Sequence, residues 1–125
     1  LYGPNDKWAN LAVGDLSFIS ISLVIDSISS LLQKDSEIIF LVKPQFEVGR
    51  ERVGKGGVVR DLDSHIFALN SVIDVTSKYG WSPKGLIASP LKGPAGNHEY
   101  LLWLDNLKGS NYLPNIERLV ENTLS

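Results

Sequence analysis

The 125-residue sequence has no cysteine, no methionine, only two histidines and no long apolar run. Each shortage excludes something. Without cysteine there is no disulfide framework, thiolate zinc site or cysteine nucleophile, and two histidines make a poor metal site. The longest uninterrupted apolar stretch, Ile38 to Val42, falls far short of the roughly 20 residues that span a bilayer. The first residues are not expected to be a signal peptide. Charge of either sign is also scarce, with 12 basic and 14 acidic side chains for a net −2. A chain that begins at Leu1 and lacks methionine is expected to be a fragment or processed piece. Its length and 43% hydrophobic content predict one soluble domain over residues 1–125, able to bury about two thirds of its unfolded surface.

Periodicity supplies the elements. Ile21, Val24, Ile25, Ile28, Leu31 and Leu32 recur at three- and four-residue steps and predict an amphipathic helix over Ser20 to Gln33. The unalternating run Ile38 to Val42 predicts a strand covered on both faces, as in a parallel sheet. A long loop from Pro44 to Arg60 follows, and then a second helix over Leu62 to Tyr79, with Asp61 or Asp63 as N-cap and Gly80 as its stop. Gly85 to Ser89 and Tyr100 to Leu104 read as strands, Pro114 opens a last helix, and Leu11 to Asp15 is the remaining strand candidate. The alternation predicts an α/β layer protein. Helices of about fifteen residues between the first three strands imply parallel crossovers. The connection from residue 90 to 99 contains no helix, so the last strand should be antiparallel. A mostly parallel sheet with one reversed strand results.

In open parallel sheets ligands bind beyond the carboxyl ends of the strands. Asp15 and Lys43 end two such strands. The reversed strand begins on that same edge, which places Glu99 there too. Charged residues at strand ends are often there simply to be solvated, but three of them converging on one rim is stronger evidence of a site. Residues 43 to 60 carry Lys43, Arg50, Arg52, Lys55 and Arg60 against Glu47 and Glu51, a local excess suited to a phosphate backbone. Gly49 to Gly56 nearly matches a phosphate-cradling loop, but Gly56 stands where a magnesium-binding hydroxyl is needed and the flanking strand and helix are misplaced. A solvated loop is the plain alternative for these charges. His65, Trp81 and Trp103 are expected to pack. His98, which neighbours Glu99 and points to the other face, is also expected to be structural.

Four motifs are more specific: Val13-Gly14-Asp15-Leu16-Ser17-Phe18-Ile19-Ser20, Leu41-Val42-Lys43-Pro44-Gln45-Phe46-Glu47-Val48-Gly49-Arg50, Val53-Gly54-Lys55-Gly56-Gly57-Val58-Val59-Arg60-Asp61, and Ser89-Pro90-Leu91-Lys92-Gly93-Pro94-Ala95-Gly96-Asn97-His98-Glu99. In this order they resemble the TlyA, or hemolysin-A, family of ribosomal RNA 2′-O-methyltransferases. The resemblance implies a Rossmann-like class I methyltransferase sheet, S-adenosylmethionine as cofactor, and ribosomal RNA or ribosomal subunits as partner in the cytoplasm. By motif, Asp15, Lys43 and Glu99 look like three members of the family's Lys-Asp-Lys-Glu catalytic tetrad, with Asp15 and Leu16 at the cofactor. Arg50, Arg52, Lys55, Arg60 and Lys92 would hold RNA. The first lysine, the glycine-rich cofactor turn and the preceding RNA-binding domain are not among these residues. The chain therefore resembles the C-terminal half of an FtsJ-like methyltransferase domain, expected to be inactive alone and to expose a sheet edge that invites self-association.

The chemistry needs a ribose oxygen aligned with the donor methyl and a group to take its proton, and a lysine can do this only once neutral. No metal is required. Two other functions compete: a noncatalytic RNA-binding module, suggested by the basic loop, and membrane lysis, suggested by the family's older name. Lysis ranks last, because Asp26 is the only charge on the Ser20 to Gln33 helix and an interfacial helix needs a cationic face.

Overall fold

The computed structural model describes residues 9–15, 20–107, 112 and 114–125. Among these residues four strands, β1 (Ala9–Asp15), β2 (Leu32–Val42), β3 (Ser82–Ala88) and β4 (Tyr100–Asp105), form one sheet in the order β1-β2-β4-β3. β1 pairs parallel with β2, and β4 runs antiparallel to both β2 and β3. The expected sheet with one reversed strand is present. The insertion of β4 between β2 and β3 is a tertiary choice that local pattern does not encode.

Among the described residues four helices accompany the sheet: α1 (Ile25–Leu31), α2 (Pro44–Glu47), α3 (Leu62–Ser77) and α4 (Ile116–Leu124). The single helix expected over Ser20 to Gln33 is instead a 3₁₀ turn at Ile21–Leu23, a break at Val24 and then α1. Serines explain part of this. Ser20 accepts from the Ser22 amide and Ser30 donates to the Ser27 carbonyl, local bonds that compete with a continuous helix. β2 also starts earlier than expected. Leu32, buried in the core, is already extended, and Asp35 takes φ 65° where the pairing with β1 is irregular, a conformation aspartate tolerates.

α3 begins as expected, with Asp61 capping the Ser64 amide at 2.9 Å, and Gly80 beyond its end has φ 88°. α4 starts two residues after Pro114, capped by Asn115. β3 begins at Ser82 rather than Gly85 and contains Pro83, which an edge strand admits because one side of it needs no hydrogen-bond donor. The stretch 44–60, expected to be a plain loop, holds α2 and 3₁₀ turns at Arg50–Arg52 and Lys55–Gly57.

The core lies on one sheet face. Ile38, Phe40 and Val42 of β2 and Tyr100, Leu102 and Leu104 of β4 are buried with Ile21, Ile25, Leu69, Val72, Trp81 and Val120. The other face is open among the described residues, correcting the expectation that β2 is covered on both sides. Across it run Val13, Ile39 and Trp103 in register, with Val13 73% and Trp103 38% exposed. Trp103 is thus a surface residue, its indole donating to Glu37 at 3.1 Å beneath the Lys84 ammonium.

Candidate active site

Register delivers the site. Asp15 lies beside Leu41 at the carboxyl end of β1, and Val42 lies opposite Tyr100 where β4 starts. Lys43 and Glu99, one residue beyond that last pair, must therefore share the rim with Asp15. The Lys43 ammonium meets an Asp15 carboxylate oxygen at 2.8 Å. The Lys43 side chain is 6% exposed and that of Asp15 59%, so a cation that would be costly to bury alone is held by an anion that water still reaches.

Three consecutive odd-numbered residues divide the work around the turn that follows β2. Pro44 occupies the first position of α2, where its missing N–H costs nothing, and the tight turn aims its neighbours. Lys43 turns to Asp15. The Gln45 side-chain amide donates to Glu99 Oε2 at 2.9 Å. Glu47 accepts from the Ser20 hydroxyl at 2.6 Å and the Ile21 amide at 3.0 Å, fastening the segment after β1 to the segment after β2. Burial pushes the Glu47 carboxyl above its ordinary value of 4.5, against the lowering pull of those two bonds. Gln45 and Glu47 were missed as site residues by sequence reasoning, although both stand in the Lys43 motif.

Glu99 is buried. The chain reaches it through a turn at Pro94–Gly96 in which Ala95 and Gly96 both have positive φ, closed by the Gly93 amide donating to the Asn97 carbonyl at 2.8 Å. The buried Asn97 side chain accepts from the Val59 amide and donates to the Gly57 carbonyl, both at 2.9 Å. It thereby pins the glycine-rich part of the basic loop to the Glu99 turn. Beneath them, buried His65 bonds both the Tyr100 hydroxyl and the Val59 carbonyl at 2.8 Å. A carbonyl only accepts, so the His65 Nε2 carries the proton and Nδ1 accepts from Tyr100. Burial lowers the His65 pKa and pushes the Tyr100 phenol up to about 12.

The residues expected to meet RNA differ in their freedom. Arg50, Lys55, Arg60 and Lys92 are exposed, with Arg60 reaching the Lys55 carbonyl at 3.2 Å. Arg52 is half-buried, its guanidinium 4.5 Å over the Phe67 ring and within 3.4 Å of the Ser64 hydroxyl, so packing on α3 already occupies it. His98 lines an open surface pocket with Val59, Arg60 and Leu124. Leu16, the second residue expected at the cofactor, lies outside the described residues. Among the described residues no cluster of three or more potential metal ligands occurs, and no helix is long and apolar enough to cross a membrane.

A Rossmann-like α/β sheet with a charged rim at its strand ends places the chain with the methyltransferase folds. At 15% identity it shares that fold, with a TM-score of 0.57 over 82% of this chain and 61% of the other, with a SAM-dependent methyltransferase from Methanosarcina mazei. The FtsJ-like methyltransferase family matches residues 3–106, and the chain belongs to that family. It is 46% identical over 95 residues to the 16S/23S rRNA (cytidine-2′-O)-methyltransferase TlyA of Mycobacterium tuberculosis, covering 76% of this chain and 35% of that protein. To Hemolysin A of Brachyspira hyodysenteriae it is 38% identical over 97 residues, covering 78% of this chain and 40% of the relative. The crystal structure of a Lactococcus lactis protein superposes with a TM-score of 0.85 at 36% identity, covering 93% of this chain and 56% of that one. The chain thus spans about 35 to 40% of the length of these curated relatives.

Proposed function

We propose that the protein carrying this chain transfers a methyl group from S-adenosylmethionine to a ribose 2′-hydroxyl of ribosomal RNA. The observation that carries this reading is the rim itself, where the Asp15–Lys43 pair at 2.8 Å stands at the ends of two parallel strands with buried Glu99 one residue before β4. The donor set suits the cofactor's reactive end, because a cationic sulfonium calls for a nearby anion and the Asp15 carboxylate is 59% exposed. Bound there, S-adenosylmethionine would supply an electrophilic methyl. In its neutral form, reached when its own proton passes to the water that touches the exposed Asp15 carboxylate, Lys43 takes the proton that the ribose oxygen loses, Asp15 holds Lys43 in place and faces the methyl, and Glu99 orients the ribose or Lys43. Arg50, Lys55, Arg60 and Lys92 bind RNA phosphates.

Lys43→Ala in the full-length gene product is expected to abolish methyl transfer to ribosomal subunits, measured with radiolabelled donor, while cofactor affinity by calorimetry stays nearly unchanged. Near-normal turnover would refute the assignment. The exposed basic loop also supports a second reading, RNA binding without catalysis. In that case the wild-type protein would retain subunits yet transfer no label.

A further inference from the structure

Glu99 rests in a seat built by two residues to which the proposed chemistry gives no role. The Gln45 amide donates to Oε2 at 2.9 Å. A Cβ placed on Gly93 would overlap the Glu99 carboxylate, nearest to that same oxygen. The Gly93 backbone is not in the left-handed region, so glycine is needed there for room rather than for conformation. The opposite face of the Gln45 amide is informative too. Its Oε1 is buried and has no hydrogen-bond partner among the described residues. Flipping the amide would set that oxygen against a carboxylate, so the Glu99 contact dictates the orientation even though it leaves an acceptor unpaired. A neutral donor holds the carboxylate without cancelling its charge, as an arginine would. Gln45 also follows Lys43 by two residues on a single turn, so one short element sets the relative position of the amine and the second acid.

We propose that Gln45 and Gly93 are positioning residues that hold the Glu99 carboxylate in one orientation toward the reacting ribose. This rests on the methyl-transfer reading of the site. The test uses Gln45→Met, which keeps length and removes the donor, and Gly93→Ala, both in the full-length gene product. Each should lower kcat by about tenfold to a hundredfold, the scale of a slightly misplaced group, while KM for ribosomal subunits and the dissociation constant for cofactor move less than about twofold. Gln45→Glu adds a readout that loss of packing would not produce. Its carboxyl can donate only when protonated, so activity should survive on the acid side of the pH profile and vanish at alkaline pH. A Gln45→Met kcat within about twofold of wild type, or Gln45→Glu with an unshifted profile, would overturn the proposal. If the wild-type protein transfers no methyl group, the seat is read by the NMR signals of the Gln45 side-chain amide. These should shift on Glu99→Met, and an unmoved amide would overturn the seat independently of the reaction.

Discussion

Asn97→Ala isolates the clasp between the basic loop and the charged rim. The substitution removes two bonds of 2.9 Å, one from the Val59 amide and one to the Gly57 carbonyl. The two differ in cost. Val59 is buried, and its orphaned N–H should cost about 1–3 kcal/mol, whereas the Gly57 carbonyl lies on an exposed residue and can regain water at about 0.5–1.5 kcal/mol or less. A local destabilisation of about 2 kcal/mol corresponds to about 30-fold more opening, which native-state hydrogen exchange at the Val59 amide reports directly. Asn97→Asp separates the two halves, because it keeps an acceptor for Val59 while turning a second oxygen toward the Gly57 carbonyl. Val59 protection should then largely survive as the glycine-rich turn loosens. Val59 exchange within about threefold of wild type in Asn97→Ala would refute the reasoning.

Three further outcomes concern the loop, the buried titratable groups and the open sheet face. Arg50→Ala with Lys55→Ala should reduce the slope of log affinity for RNA against log salt by about 0.7–0.9 for each phosphate no longer engaged; Arg52→Ala should change it less, since that guanidinium lies on Phe67, and equal slopes for all variants would show that the loop touches no phosphate. Burial holds the His65 pKa below its ordinary 6.5, so the unfolded chain binds a proton where the folded one does not. Stability from neutral His65 should be full above pH 6.5 and decline as pH falls from there through the lower native pKa, and a His65→Gln variant whose denaturant midpoint keeps the same pH slope in that window would contradict this. Glu47 acts in the opposite sense, since its raised pKa makes stability fall as pH rises above 4.5. Val13→Lys, on the open sheet face, should suppress any concentration-dependent association of the chain in sedimentation; unchanged association would place the interface elsewhere.

Much of this molecule could be read from local pattern. The apolar spacing of α3, its Asp61 cap and the run Ile38 to Val42 are near-neighbour signals, expressed wherever the chain finds a core. Connection lengths then implied the directions of the strands, and Asp15, Lys43 and Glu99 could be placed on one rim before any distance was known. Local bonding at Ser20 and Ser30 competed with a continuous first helix, and partner choice extended β2, because a strand's limits depend on the neighbour it pairs with. The surface position of Trp103 depended on which sheet face the helices took.

What the residue pattern could not carry are contacts between segments far apart in the chain. Gln45 meets Glu99 across 54 positions and Glu47 meets Ser20 across 27, and neither pairing leaves a periodic trace. The first arises because β4 inserts beside β2, and the second because β1 pairs parallel with β2, each pairing bringing two strand ends into register. Side-chain identity and strand order along the chain were sufficient to nominate an acid, an amine and a second acid. Packing had to choose which neighbours hold them, since long-range hydrogen bonds form only after the sheet has set its register.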